Sequence, residues 1–373
     1  MRMVLLYIAD NGFSFYEGKY YFTRPNYNNT KQFGKYFDKV IYVAREASYI
    51  DGSIQIPDNS NVYLFKKMDF SGIRKWLKTH ASEYDVALLR NGMNGCIAVN
   101  TLHKINKPII SYLGYDALAH KLLGRTMLGF VEGVIWYLLE KNKMAKGTYA
   151  HYCADNLAKR YPAKVPYLVC PNIEIEIDDN NLKCRINKYK LGKDKKVVGI
   201  LATLNSYKGI DTAIKSLTLL PGNYSLEVVG GGKSDEYVRI AQELKVDNRV
   251  HFMGYFAEQE KIKDWLKEID IYIQPSISEG LPRAAIEAMS MGCPLIVSNT
   301  IGVSSWIDQS WQIKPRDYKK LAEKILLMGN DAENMIQQAS KNFETSKMFR
   351  PEIRDSKMDS YYKDFLDSVD NKK

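Results

Sequence analysis

The chain has 373 residues, 45% hydrophobic and 26% charged, a globular profile that excludes a disordered or collagen-like protein and is too long for one ordinary core. Lysine and arginine outnumber aspartate and glutamate by 53 to 43, and the resulting net charge of +10 favours anionic partners: a nucleotide, a phospholipid surface or nucleic acid. No stretch approaches the roughly 18 apolar residues of a membrane span.

The N-terminal Met-Arg-Met-Val-Leu-Leu-Tyr-Ile-Ala is too short an apolar run for a signal peptide and reads as a buried first strand over Val4 to Ala9. Strand-like and helix-like pieces then alternate. Tyr27 to Phe37 reads as helix, Ile41 to Ala44 and Val62 to Phe65 as strands, Ser71 to His80 as helix, Val86 to Arg90 as strand and Cys96 to Ile105 as helix. Pro108 to Tyr112 and Tyr149 to Cys153 add strands, with a long helical segment from about Ala117 to Lys146 between them. This is the rhythm of a parallel sheet, whose ligands sit at the carboxyl ends of strands. The loops at Asp10 to Phe15 and Gly114 to His120 are therefore ligand-site candidates, in particular Asn11, Gly12, Phe13 and Asp116.

Within the long helix, Met127 to Leu139 is nearly all apolar and is bordered by Lys121, Arg125, Lys141, Lys143 and Lys146. Two readings are open: the apolar residues form core beneath the sheet, or they sink into lipid with the lysines at the headgroups. The basic stretch around Arg74, Lys75, Trp76 and Lys78 is either part of the same surface or a solvated helix face.

From Pro166 to Lys196 the pattern loosens, which places a domain boundary there: residues 1–170 form one domain and 171–350 a second, and 351–373 is helical in pattern. Glu174, Glu176 and Asp178 alternate with isoleucines, so they line one face of a solvated strand rather than a metal site. The five cysteines are odd in number and widely spaced, which fits neither zinc nor a disulfide framework and suits a reducing cytoplasm. No metal or other cofactor is expected.

In the second domain, strands are expected at Val197 to Leu201, Ser225 to Val229, Arg249 to Met253, Ile269 to Gln274 and Pro294 to Ser298, with helices at about Asp211 to Leu219, Asp235 to Leu244 and Leu321 to Met328. The most informative stretch runs from Ser278 to Gly292. Pro282 suits the first helical position and Gly292 the position just past the end, so strand, loop, helix and strand form one βαβ crossover. Gly280 lets backbone approach a ligand, and the free N–H groups at the helix start would hold a diphosphate. Glu279 sits at the mouth. Glu287 shares a helix face with Arg283 and reaches a hydroxylated group beside the phosphates.

Glu279, seven residues, Glu287, then Ala288-Met289 and Gly292-Cys293-Pro294-Leu295-Ile296-Val297, resembles the signature of retaining glycosyltransferases of family 4. The resemblance implies an α/β chain of the GT-B fold, two Rossmann-like domains with parallel sheets facing across a cleft, with a nucleotide sugar on the second, the acceptor on the first at Asn11, Gly12, Phe13 and Asp116, and the 351–373 helix crossing back to the first. It further implies that Lys208-Gly209 meets the donor diphosphate, that Gly230 and Gly231 with Tyr255 and Phe256 form the nucleobase wall, and that His120 stands beside the reacting sugar. The amides of Gly280 and Leu281 would stabilise the leaving group, Glu279 would orient sugar hydroxyls and Glu287 would take the ribose. Three departures stand out: Asn11-Gly12-Phe13 in place of paired glycines, Thr203 where relatives often carry an arginine, and Trp306 where they often place a glutamate.

The expected function is transfer of a hexose-type sugar from a nucleoside diphosphate, UDP among the candidates, to a hydroxyl of a glycan or lipid-linked acceptor in capsule- or O-antigen-type synthesis. The enzyme would work in the cytoplasm, docked peripherally on an anionic membrane face. A GT-B nucleotide-sugar epimerase and a non-catalytic sugar-nucleotide or membrane scaffold are the rival readings. Nucleic acid lacks a matching motif or interleaved aromatic and basic residues.

Overall fold

A computed structural model of the chain describes residues 3–22, 30–49, 53–57, 60–116, 127–171, 173, 175–192, 194–300 and 302–371. It divides into two units, one of Met1–Asn172 with Asp355–Lys373 and one of Ile173–Arg354.

The first unit is built on a sheet of strands β1 (Val4–Tyr16), β2 (Lys19–Phe22), β3 (Lys39–Glu46), β4 (Ile54–Gln55), β5 (Asn61–Phe65), β6 (Val86–Leu89), β7 (Ile109–Leu113), β8 (Tyr149–Tyr152) and β9 (Tyr167–Val169). Its parallel part runs β5-β3-β1-β6-β7-β8-β9, and β2 and β4 attach antiparallel beyond it. Leu5, Leu6, Tyr7 and Ile8 are buried in succession, as a strand covered on both faces requires.

The loop expected over Asp10 to Phe15 is strand. After a register shift between Ile8 and Gly12, β1 continues to Tyr16 and turns back through Glu17 and Gly18, both at positive φ, the two-residue turn that matches strand twist. Gly12 is required by packing, because a Cβ there would collide with that of Ala47. The helix expected over Tyr27 to Phe37 is, in its described part, a 3-10 turn at Lys31–Lys35.

Helices α1 (Phe70–Thr79), α2 (Met93–Lys104), α3 (Met127–Lys146) and α4 (Asp155–Arg160) complete this part of the chain. Asp69 caps α1 by accepting from the Gly72 N–H at 3.0 Å. The apolar face of α3 is not core: Leu128, Phe130 and Leu138 are 69, 53 and 57% exposed. Beside Gly133 and Met144, α3 buries a charged pair, Glu140 and Lys143, at 2.6 Å with both side chains fully covered. Lys143 also donates to the carbonyls of Arg90 (3.0 Å) and Tyr112 (3.1 Å), and Glu140 accepts from the Gly92 N–H (3.2 Å). The pair thus has the extra hydrogen bonds that make a buried ion pair tolerable. Lys143 therefore leaves the set of lysines expected at a lipid surface, while Lys141 remains exposed. Lys121 and Arg125 lie outside the described residues.

The helix Pro351–Asp370 contributes its residues from Asp355 onward to this unit. Tyr361 donates to the Ala150 carbonyl at 2.8 Å, and Tyr362 stacks on Tyr36 with centroids 4.5 Å apart.

The second unit holds β10 (Lys196–Leu201), β11 (Tyr224–Val229), β12 (Val250–Gly254), β13 (Ile271–Gln274), β14 (Leu295–Ser298) and β15 (Gln312–Ile313) in the order β12-β11-β10-β13-β14-β15, with every pair parallel. Its helices are α5 (Asp179–Leu191), α6 (Ile210–Leu217), α7 (Asp235–Glu243), α8 (Gln259–Glu268), α9 (Arg283–Ser290), α10 (Tyr318–Gly329) and α11 (Ala332–Ser346).

The described residues of the acid-alternating segment before α5 form no strand. Ile173 and Ile175 are buried with Ile286 and Phe349, whereas Glu176 and Asp178 face water and Asp178 caps α5 through the Asn180 N–H. Glu174 lies outside the described residues. The polar run that follows is helical because it carries its own anchors. Arg185, buried, donates to the carbonyls of Leu266, Ile269 and Met291, and Lys188 to those of Glu268 and Ile269. Two cations thus satisfy carbonyls at the C-terminal ends of α8 and α9, where helices carry partial negative charge.

His151 in β8 is buried and donates from Nε2 to the Cys170 carbonyl at 2.9 Å. Burial, opposed by that hydrogen bond and aided by the nearby Arg90, lowers its pKa from 6.5 to about 4. The unfolded chain takes up a proton there below pH 6.5 while the folded chain does not. Stability is therefore full above 6.5 and lost as pH falls through about 4, at about 1.4 kcal/mol per unit. Urea denaturation from pH 7 to pH 4 should show His151→Phe with a shallower acid loss than wild type, by about 3 kcal/mol; parallel curves would show that His151 does not titrate in this way.

Candidate active site

Reversal of strand order between β10 and β13 leaves a crevice outside their carboxyl ends, the place where open α/β sheets hold ligands. The loops that meet there are fastened to one another through main chain. Leu204 N–H bonds to Gly231 O at 2.9 Å, Gly230 N–H to Gly254 O at 2.9 Å and Ile277 N–H to Tyr207 O at 2.7 Å. Gly209, at φ +73°, comes so close to Pro275 that a Cβ would strike its carbonyl.

This closeness brings Lys208 to Glu279. The ammonium lies 2.7 Å from Glu279 Oε2, with each side chain largely covered. Glu279 Oε1 accepts from Gln274 Nε2 at 2.8 Å and from the Ser276 hydroxyl. Gln274 is oriented in turn by the buried Tyr272 hydroxyl, which donates to its Oε1 at 2.7 Å. Because the amide oxygen is engaged by Tyr272, the NH2 group must face the carboxylate.

Helix α9 begins at Arg283, one residue later than expected, since Pro282 keeps an extended ψ of 109° and occupies the capping position. Arg283 Nε lies 2.9 Å from Glu287 Oε1, and Gln259 Nε2 donates to the same oxygen at 3.2 Å. Among the described residues no donor reaches Glu287 Oε2, which leaves one oxygen of a nearly buried carboxylate open to a hydroxyl. Glu287, Arg283 and Gln259 also line a cleft of about 710 Å³ that continues along α8 to Lys263 and Lys267.

Gly230, at φ +154°, presses against the Ala202 carbonyl, and Gly231 approaches the Cβ of Tyr255. Tyr255 is exposed, whereas Phe256 is buried with Lys261 over its ring at 4.7 Å. Gly280 is buried and Leu281 packs against the cluster of Ile173, Ile175, Ile286 and Phe349. The departure at Trp306 has a packing reason, an edge-on contact with Phe349 at 5.1 Å in that same cluster. Thr203 accepts from Asn205 Nδ2 at 3.0 Å and supplies no cation.

The family model described as glycosyl transferases group 1 matches residues 185–343, the stretch that contains Lys208, Glu279 and Glu287. Residues 185–343 thus carry a group 1 glycosyltransferase domain. This glycosyltransferase is 29% identical to protein CapJ of Staphylococcus aureus over 342 residues, 87% of the chain and 85% of CapJ. It is 32% identical, over 38% of each chain, to the N,N'-diacetylbacillosaminyl-diphospho-undecaprenol alpha-1,3-N-acetylgalactosaminyltransferase of Campylobacter jejuni. Among solved structures it resembles Anabaena HepE in complex with UDP and glucose, with a TM-score of 0.69 at 17% identity, covering 96% of this chain and 99% of that one. The fold of the glycosyltransferase is GT-B.

In its first unit, Phe13 is core, packed edge-on against Phe22 and Tyr42 at 5.0 and 5.6 Å. Asp116 is engaged by Arg160 at 2.6 Å and by the Tyr161 hydroxyl at 2.8 Å. His120 and the side chain of Asn11 lie outside the described residues. Asp10, unremarked in the sequence, accepts from the N–H groups of Met93 and Asn94 at 2.6 and 2.8 Å and so caps α2. Burial raises its pKa, against those two hydrogen bonds and the pull of Lys143.

The sequence reading also missed Tyr272, Gln274 and Ser276. Its available signal was an amide closing an apolar strand, Ile271-Tyr272-Ile273-Gln274, five residues before Glu279. In urea denaturation Gln274→Leu should cost about 1–3 kcal/mol, because the Tyr272 hydroxyl keeps only its longer contact to the Leu201 carbonyl at 3.4 Å, and adding Tyr272→Phe should recover much of the loss. Simply additive losses would show that the two side chains are not coupled.

Proposed function

We propose that this glycosyltransferase moves a hexose-type sugar from a UDP-linked donor to a hydroxyl of a lipid-linked glycan, with retention at the anomeric carbon, in capsule- or O-antigen-type polysaccharide synthesis. The observation that carries the proposal is the Lys208–Glu279 pair at the β10–β13 crevice, with Glu287 in the helix that begins beside it. In the unliganded site the carboxylate compensates the ammonium. A nucleoside diphosphate carries more charge than Glu279 and competes for Lys208, freeing the carboxylate to accept sugar hydroxyls.

As the glycosidic bond breaks, negative charge grows on the departing diphosphate. Lys208, the amides of Gly280 and Leu281 and the start of α9 act as fixed stabilisers of that charge. No step in this account calls on a metal. Glu287 Oε2 takes a ribose hydroxyl, and Arg283 and Gln259 hold its other oxygen. The donor assignment draws support from HepE, whose structure holds UDP and glucose, and the lipid-linked acceptor from the Campylobacter relative, which is named for a diphospho-undecaprenol sugar. With Glu287→Ala, UDP affinity measured by calorimetry should fall by about 1.5–3 kcal/mol in a folded protein. Unchanged affinity would remove Glu287 from the nucleotide site.

The reading also places the enzyme peripherally on the cytoplasmic face of the membrane. No described helix is long and apolar enough to cross a bilayer, but α3 presents Leu128, Phe130 and Leu138 to solvent beside Lys141. An apolar helix face sinks into the headgroup boundary, and each lysine near an anionic surface adds about 1 kcal/mol. Wild type should float with anionic vesicles at low salt and be released at high salt. Leu128→Ser with Phe130→Ser and Lys141→Glu should not float, and equal failure of the wild type with anionic and neutral vesicles would sink the membrane assignment.

A further inference from the structure

The β1–β2 hairpin carries a group of aromatic side chains that the proposed chemistry does not use. Phe15 packs on its cross-strand partner Tyr20 with ring centroids 4.8 Å apart. Tyr16 stacks on Tyr49 at 4.5 Å and 15°, and Tyr21 meets Tyr49 edge-on at 5.0 Å. Alternation along β1 puts Phe15 and Tyr16 on opposite faces of the ribbon. Both stand in water, 55 and 45% exposed, although rings of this size are ordinarily the largest apolar contributors to a core.

We propose that this hairpin tip is a carbohydrate platform that holds sugar units of the acceptor chain. It rests on the reading of the acceptor as a glycan and adds where, in the first unit, that glycan is gripped. Three observations favour a sugar as occupant. The hairpin prolongs β1 beyond its parallel partners, at the carboxyl end where such sheets hold ligands. Four of the five rings carry hydroxyls, so each offers an apolar face and a polar rim. Finally, exposed residues of both signs, Glu17 and Glu46 with Lys19 and Arg45, stand on the same segments. A pyranose has a matching build, with C–H groups on its faces and hydroxyls at its edge. An anionic bilayer does not match, since the two carboxylates would oppose it, whereas the exposed face of α3 is mainly aliphatic and bordered by lysine.

The test is saturation-transfer NMR on the full chain with cellotetraose, maltotetraose and chitotetraose, alongside UDP calorimetry. Wild type should bind at least one oligosaccharide. Phe15→Ala with Tyr16→Ala should weaken that binding by about tenfold or more while UDP affinity stays unchanged and the protein still unfolds cooperatively, and Tyr16→Phe should bind as wild type does. Binding of none of the three sugars, or equal binding by the double variant, overturns the platform. Loss of vesicle flotation in the double variant with sugar binding intact assigns the tip to lipid and overturns it too. Failure of the wild type to bind UDP would count against the donor reading alone, because the sugar measurement has its own signal.

Discussion

An ammonium and a carboxylate, separated by 71 residues of sequence and 2.7 Å of space, define the site in the second unit. Neither would be stable half-covered by itself, because removing a lone charge from water is costly. The pairing requires β10 and β13 to be neighbours, and that adjacency exists only because the sheet grows outward in both directions from its first strand. Gly209 and the carbonyl of Pro275 set how closely the two loops approach. Tyr272 and Gln274 then fix which way the carboxylate faces.

The first unit solves a related problem with charge placed deeper. Glu140 and Lys143 lie one helical turn apart, and between them they reach the main chain of residues 90, 92 and 112, at or just past the carboxyl ends of β6 and β7. Burying such a pair is commonly no more stabilising than an apolar pair of similar size, so its structural value is the register it imposes on those loops. Arg185 does the same in the second unit without a carboxylate, by collecting carbonyls that the ends of α8 and α9 leave unsatisfied.

Much of this could be read from the amino acids. Apolar runs bounded by turn residues located most of the parallel strands to within a residue or two, because strands covered on both faces must be continuously apolar, but β1 runs on to Tyr16 and β9 was not expected. The Ser278 to Gly292 stretch announced its crossover through Pro282, Gly280 and Gly292, residues whose backbone demands are local. The illegible parts depend on partners distant in sequence. Residues 179–191 look like a polar linker until Arg185 and Lys188 are seen capping other helices. Asp10 looks like the start of a loop until α2 supplies its N–H groups. The apolar stretch of α3 left two readings open, because hydropathy could not reveal that Glu140 and Lys143 turn inward while Leu128 and Leu138 face outward.

Besides the Lys208–Glu279 pair, the floor of the crevice is stitched by amide-to-carbonyl bonds between the loops after β10, β11, β12 and β13. Shape and chemistry are therefore separable there. Thr203, Asn205 and Tyr255 project from a scaffold that does not rely on their side chains for those bonds, so they can be exchanged to alter what is recognised without loosening the frame. Gly209 and Gly230 have no such freedom, since any side chain at either position would push two loops apart. Attempts to retarget this enzyme have a natural division: vary the residues that stand on the floor, and leave the glycines that shape it.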